Sequence, residues 1–171
     1  MSDGIAHDGV LSWQELEHSP GYPSRSRMLK GPVAVIECVQ EIPCNPCEAA
    51  CPFQAITVGE KITNVPRLNE AKCVGCGQCL TRCPGLAIFL VDMSSQDGSA
   101  SLAFPYEYLP LPSVGEDVDA VDRSGCYACR GKVLSVQDPA RNEGTAVIKI
   151  EIPEAYVHHV RGIARSGGPD E

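Results

Sequence analysis

The sequence predicts an α+β protein in which a cysteine-rich unit of two β-α-β repeats precedes a small, all-β, barrel-like domain. Three observations predict this arrangement: ten cysteines in 171 residues, a cysteine motif that occurs twice, and short strand-like segments at hairpin spacing in the last third. We expect an extended arm at 1–31, the cysteine-rich unit at 32–93, a linker at 94–104 and the β domain at 105–171.

Composition and charge restrict the location of the chain and its partners. The first residues, MSDGIAHDGV, have neither a basic start nor an apolar core, so no secretory signal is expected. No apolar run of about 18 residues occurs, so no membrane insertion is expected. We therefore expect a cytoplasmic location, where clustered cysteines are more often metal ligands than disulfides. The net charge of −8 argues against nucleic acid as a partner.

The arm at 1–31 is interrupted by Pro20, Gly21 and Pro23 and contains one short helical stretch, LSWQELEHS. Such a segment is too short and too irregular to form a domain of its own. We expect it to pack on the cysteine-rich unit or on a partner.

The strongest signal is the duplicated motif. CNPCEAACPFQAI begins at Cys44, and CGQCLTRCPGLAI begins 32 residues later, at Cys76. When the copies are aligned, three cysteines, the proline after the last cysteine and an Ala-Ile pair coincide. The second copy extends back to Cys73, which completes the spacing Cys-x2-Cys-x2-Cys-x3-Cys-Pro.

This spacing predicts iron–sulfur clusters. Three cysteines two residues apart can wrap around one cubic cluster, and the cysteine before the proline points to the other cluster. A proline fits at that place because the first turn of a helix does not use all of its N–H groups. Zinc is the alternative, but zinc sites usually combine two C-x-x-C pairs across a longer gap. We therefore expect two [4Fe–4S] clusters.

On these motifs, residues 33–92 resemble the bacterial-type two-cluster ferredoxins. The resemblance implies a ferredoxin-like fold, electron transfer through two [4Fe–4S] clusters, and crossed ligation between the copies. One cluster would be held by Cys73, Cys76, Cys79 and Cys51. The other would be held by Cys44, Cys47 and Cys83, together with a fourth ligand.

The fourth ligand of that cluster departs from the family pattern. The position that matches Cys73 is Glu41, and a cysteine occurs three residues earlier, at Cys38. We expect Cys38 to be the ligand, because iron–sulfur sites prefer thiolate and a longer loop adds little closure entropy. The alternative is that Cys38 is a buried strand residue, which leaves a three-iron cluster or Glu41 as an oxygen ligand.

The remaining elements follow from local patterns. Between the copies we expect two strands, at 56–58 and 61–65, and after the second copy a strand in AIFLVDM. The polar segment SSQDGSAS predicts the break before the β domain. Within that domain DVDAVD, KVLSVQ and TAVIKIEIP alternate with turn-like segments, which predicts a small barrel or a curled sheet.

The last cysteine pair, Cys126 and Cys129, forms a C-x-x-C in this β domain. We expect ordinary buried or half-buried cysteines, because the segment resembles a strand and a turn rather than the start of a helix. A redox pair and half of a zinc site are the alternatives.

The functional expectation is an electron-transfer protein that is not itself a catalyst, because neither a nucleotide-binding glycine motif nor a recognisable nucleophile occurs. Some 110 residues beyond the cluster segment favour a permanent interface, so we expect the iron–sulfur subunit of a larger, flavin-dependent oxidoreductase. IECVQEIPCNPCEAACP followed by a β domain also resembles small iron–sulfur proteins associated with flavoprotein amine or amino-acid dehydrogenases, such as those acting on proline or hydroxyproline. The alternatives are a free soluble ferredoxin with accessory extensions, and a module whose clusters are structural or sense oxygen.

Overall fold

A computed structural model of the chain describes residues 4–137, 140, 142 and 144–165. Its strands are β1 (Val33–Ile36), β2 (Ile56–Thr57), β3 (Arg67–Leu68), β4 (Ile88–Asp92), β5 (Ser99–Tyr106), β6 (Asp117–Asp122), β7 (Tyr127–Gln137), β8 (Ala146–Pro153) and β9 (Val160–Ile163). Its helices are α1 (Trp13–Glu17), α2 (Arg25–Met28), α3 (Pro46–Ala49) and α4 (Gln78–Arg82), with a 3-10 turn at Glu154–Tyr156. Within this described part, no helix is long and apolar enough to cross a membrane.

Seven strands form one antiparallel sheet in the order β1-β4-β5-β8-β7-β6-β9, and β2 pairs with β3. In the cysteine-rich unit the elements follow one another as β1-α3-β2 and β3-α4-β4. The outer strands β1 and β4 pair along their length, from Val33 opposite Val91 to Ile36 opposite Ile88. The two copies of the motif therefore meet in one sheet. Assignment to the ferredoxin-like fold stays a prediction.

The second strand between the copies lies later than predicted. The sequence predicts it at 61–65, whereas β3 is Arg67–Leu68. Residues 59–65 form a loop instead, which the Asn64 side-chain amide closes by donating to the carbonyl of Val58 at 3.0 Å. The neighbouring strand β2 lies within the predicted range of 56–58.

The sheet is continuous across the stretch predicted as a linker. Strand β5 begins at Ser99, inside 94–104, pairs with β4 on one side, and pairs with β8 over eight residues on the other. The polar break is only a hairpin turn, in which the carboxylate of Asp97 accepts from the backbone N–H of Ser99 at 2.9 Å. The segment after it forms a strand because Leu102 and Phe104 are buried in the sheet core. The division of the chain into two domains stays a prediction.

Strand β1 separates two hydrophobic cores. Because side chains alternate along a strand, Val33 and Val35 pack in the core on one side of the sheet, with strands β4 to β9. Ala34 and Ile36 pack on the opposite side, in the core that contains the cysteines of the duplicated motif. All four residues of β1 are buried, so this short strand belongs to both cores.

The N-terminal arm packs on the cysteine-rich unit. Helix α1 has a capping box between Ser12 and Glu15, and helix α2 begins with Ser24 as its N-cap. The side chains of Leu16 and Met28 are fully buried. The arm's backbone also bonds to the unit, since the Met28 carbonyl accepts from the N–H of Met93 at 3.0 Å. The arm is therefore partly helical rather than simply extended.

A buried ion cluster joins the two ends of the sheet. The Glu37 carboxylate, directly after edge strand β1, accepts from Arg123 at 2.6 and 2.8 Å and from Arg161 of edge strand β9 at 2.6 Å. Burial would raise the pKa of Glu37, but hydrogen bonds and the positive charges of both arginines lower it below its usual value. Glu37 is therefore ionised, and the sheet is curled enough for its edges to share it.

Replacing Glu37 by glutamine tests this cluster. Glu37→Gln is expected to destabilise the iron-loaded protein by about 3–5 kcal/mol, because one buried and one partly buried guanidinium group lose their anion. Urea unfolding followed by far-ultraviolet circular dichroism measures the effect as a lower midpoint. The matched control is Asp119→Asn, which removes an exposed pair with Arg130 and is expected to unfold near the wild-type midpoint. Equal midpoints for the two variants would contradict this account.

Candidate metal centre

The eight cysteines of the duplicated motif lie around helices α3 and α4. Cys47 and Cys79 lie on these helices and are buried, whereas Cys76 is exposed. The other five are partly buried: Cys38, Cys44, Cys51, Cys73 and Cys83. Most of them border the core that contains Ala34 and Ile36.

The thiols of the first set lie within electrostatic range of one another. Burial raises the pKa of the Cys47 thiol to about 11, and the thiols of Cys83, Cys44 and Cys38 raise it too. The pKa of Cys38 is raised by burial, then by Cys83 and Cys44. Such mutual effects require proximity. The structure therefore brings together Cys38, Cys44, Cys47 and Cys83, the last of which comes from the second copy.

The second set shows the same crossing. Burial raises the pKa of the Cys79 thiol to about 12, and Cys73, Cys76 and Cys51 raise it further. Here Cys51 comes from the first copy. The two groups are the two sets of four that the sequence predicts, and ligation by them stays a prediction.

The chemistry of these groups fits a positively charged inorganic core. Four thiolates crowded into a partly buried site repel one another, and a bound metal core removes that penalty by keeping the thiols deprotonated. The second set borders a small cavity whose other walls are mainly apolar, including Ala34, Ala55, Ile56 and Leu90. An apolar, thiol-lined cavity suits an iron–sulfur cluster, whose four irons can each take one thiolate.

The spacing of the ligands does not suit a single ion. Among the residues that the structure describes, no three His, Cys, Asp or Glu side chains converge closely enough to hold one metal ion. A tetrahedral zinc site would require such convergence. In a cubic cluster the ligands bind at separate corners, so they stand farther apart.

Backbone N–H groups point at the sulfur atoms in matching places. The N–H of Ala55 donates to the sulfur of Cys51 at 3.2 Å, and that of Ala87 donates to Cys83 at 3.4 Å. These pairs occupy equivalent positions in the two copies. Donation to sulfur stabilises negative charge on the ligand and is one of the factors that set a cluster's potential.

The second cysteine loop depends on glycine at two positions. Gly75 and Gly77 have φ of +69° and +82°, which side chains other than glycine rarely adopt. A Cβ atom at Gly75 would also collide with the carbonyl oxygen of Pro32. In the first copy Asn45 replaces Gly77, with φ of −144°, and α3 begins at Pro46. The two loops therefore have different backbones around similar cysteines.

The two candidates for the missing ligand differ in their surroundings. Cys38 lies with the first set, whereas Glu41 is exposed on the loop that follows. Burial and the neighbouring thiols favour Cys38 over Glu41 as the fourth ligand.

The remaining pair, Cys126 and Cys129, lies apart from both sets. Cys129 is buried in the sheet core and its pKa is raised by burial. Cys126 is exposed, which differs from the buried or half-buried position expected. It lies in the turn between β6 and β7, where its N–H donates to the carboxylate of Asp122 at 3.0 Å. Both thiols are free.

Residues 37–87 match the family model of the 4Fe-4S dicluster domain. This segment contains all eight cysteines of the two sets. The match supports an iron–sulfur, ferredoxin-like segment at 37–87. The matched residues begin after β1 and end before β4, so the family model leaves the arm and all seven strands of the large sheet without a counterpart.

Curated relatives of this chain are partial matches. Over 84 residues it is 50% identical to the polyferredoxin-like subunit of an aliphatic sulfonate oxidoreductase from Pyrococcus furiosus, covering 47% of this chain and 43% of the relative. Over 45 residues it is 42% identical to one subunit of a Na+-translocating ferredoxin:NAD+ oxidoreductase complex from Acetobacterium woodii, covering 26% and 13%. Over 112 residues it is 27% identical to an uncharacterised ferredoxin of Methanocaldococcus jannaschii, covering 65% and 60%.

The chain thus spans less than two thirds of each of these relatives. No solved structure matches it.

Substitution of Cys38 tests the first set. Cys38→Ser is expected to convert that cluster to a labile or three-iron form, because a hydroxyl is a poorer ligand for iron than a thiolate. Iron analysis and electron paramagnetic resonance measure the change. The matched control is Glu41→Gln, three residues away, which is expected to leave both clusters intact. A cluster that is altered in Glu41→Gln and intact in Cys38→Ser would reverse the assignment.

Proposed function

We propose that this chain carries two [4Fe–4S] clusters and transfers single electrons as the iron–sulfur subunit of a larger oxidoreductase complex. Cys38, Cys44, Cys47 and Cys83 hold the first cluster, and Cys51, Cys73, Cys76 and Cys79 hold the second. The observation that carries the proposal is the crossed grouping of these thiols into two sets of four.

Complete ligation favours electron transfer over catalysis. A catalytic metal site keeps one position open for substrate or water. With four cysteines in each set, every iron of a cubic cluster would have a protein ligand, and no iron would be left for substrate. Such a cluster accepts and passes one electron at a time.

Both sets lie beside exposed apolar side chains that suit contact with redox partners. Ile42 near the first set and Val74 near the second occupy the same position in the two copies and are 45% and 52% exposed. Ile62, whose carbonyl accepts from the N–H of Cys44 at 3.1 Å, is 49% exposed. Phe53 follows Cys51 by two residues and is 46% exposed. Electrons could therefore enter beside one cluster and leave beside the other.

The names of two relatives support a place in a larger complex. One is a polyferredoxin-like subunit of an oxidoreductase and the other is a subunit of an oxidoreductase complex. In our proposal the partner is a flavoprotein dehydrogenase, located with this chain in the cytoplasm. Organic substrates give up electrons in pairs, and a flavin can pass them on singly to an iron–sulfur cluster. The resemblance of the first cysteine loop to subunits of flavoprotein dehydrogenases favours the same partner.

The cluster count is the first test. The purified chain is expected to contain about eight irons and eight acid-labile sulfides per monomer, as two cubic clusters require. Cys126→Ala is the matched control and is expected to keep the same content, because Cys126 lies outside both sets. About four irons in the wild-type chain would overturn the two-cluster proposal. Loss of iron in Cys126→Ala would assign that cysteine a role in metal binding.

The partner is tested on the native protein. Purification from its own cells under anaerobic conditions, followed by native mass spectrometry, is expected to give a complex that contains a flavin-binding chain. Flavin absorbance should co-elute with iron, and the flavin should reduce the clusters when the dehydrogenase substrate is added. A chain that elutes alone, with clusters that still reduce reversibly, would favour a free ferredoxin. Clusters that resist reduction would favour a structural or sensing module.

A further inference from the structure

Arg27 lies on α2 of the arm, outside the segment that matches the family model. Its guanidinium group donates to four backbone carbonyls: to Cys73 at 2.6 Å, Gly31 at 2.9 Å, and Glu70 and Pro32 at 3.0 Å each. These carbonyls come from the end of the arm and from the chain that enters the second cysteine loop. Arg27 therefore holds the arm against that loop.

The positive charge of Arg27 has no carboxylate to neutralise it among the described residues. The ion pairs of that part of the chain involve other arginines: Arg25, Arg123, Arg130 and Arg161. The nearest acidic residue in the contact, Glu70, offers Arg27 only its backbone carbonyl. Its carboxylate accepts from the N–H and hydroxyl of Ser24 at 2.6 and 2.9 Å. Among the described residues, a cation that forms no ion pair thus lies beside the backbone of Cys73.

The site is tightly packed, so this cation keeps its place. The side chain of Arg27 is partly buried. Pro32, one of its acceptors, lies so close to the loop that only glycine fits at Gly75. The loop begins at Cys73, and the backbone N–H of Ala34 donates to the Cys73 sulfur at 3.5 Å. Arg27, the end of the arm and the start of the second cysteine loop are therefore joined by direct contacts.

We propose that Arg27 raises the reduction potential of the second cluster. The inference rests on the proposed ligation of that cluster by Cys51, Cys73, Cys76 and Cys79. Reduction adds one negative charge to the cluster, and a nearby fixed cation stabilises that charge, more strongly where the site is partly shielded from water. Through Arg27, the arm thereby causes the second cluster to be reduced in preference to the first.

Arg27→Gln tests the charge while it keeps a polar side chain. In a redox titration of the full, two-cluster chain, the ratio of reduced to oxidised second cluster at a fixed potential is expected to fall about tenfold. For one electron this equals a shift of 59 mV. The first cluster is expected to titrate as in the wild type. Electron paramagnetic resonance follows the two clusters, and Cys76→Ser, which alters only the second cluster, assigns its signal.

Arg25→Gln is the matched control. Arg25 lies on the same short helix and loses one positive charge in the same way, but it pairs with Glu154 at 2.6 Å, away from the cysteine loop. Both clusters of this variant are expected to keep their wild-type potentials. An equal shift in Arg25→Gln and Arg27→Gln would overturn the inference, because it would reflect overall charge.

Arg27→Lys separates charge from hydrogen bonding. Lysine keeps the cation but cannot reproduce the four donations, and the inference expects a second-cluster potential close to that of the wild type. A potential that falls as far as in Arg27→Gln, or loss of the second cluster from both variants, would show that Arg27 acts only as a structural clamp. Unchanged potentials in a chain with eight irons would overturn this inference alone. A wild-type chain with four irons would overturn the proposed function beneath it.

Discussion

The shared Glu37 carboxylate is the interaction on which the arrangement of the chain depends. Three ionised groups, Glu37, Arg123 and Arg161, lie together at the place where the two edge strands approach each other. Burying them without full pairing would cost several kcal/mol, so each must be close to its ideal position. The contact holds the two edges of the sheet together directly after the end of β1, and the next residue along the chain is Cys38. The first cysteine set and the far end of the sheet are thus positioned by the same contact.

The arm has a comparable effect on the second set. A cluster unit of some 60 residues has little apolar surface to bury, and here the arm adds Leu16 and Met28 to the buried part of the molecule. Met28 joins the sheet core, while Arg27, its neighbour in α2, turns towards Cys73. One short helix therefore contributes an apolar side chain to one core and a charge to the edge of the other. A helix of four residues is too short to be stable by itself. Both contributions are made from the packed position of the helix and do not require such stability.

The sequence alone predicts two cysteine sets, whose ligation stays a prediction, and it predicts their surroundings poorly. Ligand spacing is local, so the crossed grouping of Cys51 and Cys83 could be expected from the motif, and the position of Cys38 in the first set agrees with the preference for thiolate. The start of β5 inside the predicted linker was missed, because a polar break resembles a hairpin turn and a domain boundary equally. The Glu37 cluster joins residues 86 and 124 positions apart, and no local pattern reveals such pairs. Arg27 binds backbone carbonyl groups, which every residue carries, so its partners cannot be predicted from residue types in the sequence.

The two cysteine loops differ in several ways, and each difference favours a higher reduction potential for the second cluster than for the first. Pro43 and Pro46 remove two N–H donors from the first loop, whereas the second loop keeps its donors and bends at Gly75 and Gly77. N–H donation and positive charge both favour the reduced, more negative state of a cluster, and Arg27 adds its cation on the side of the second loop. Cys76 is the exposed cysteine of that set. In such a carrier, the direction of electron transfer would therefore depend on differences between the two copies of the motif. Residues outside the motif, such as Arg27, increase those differences.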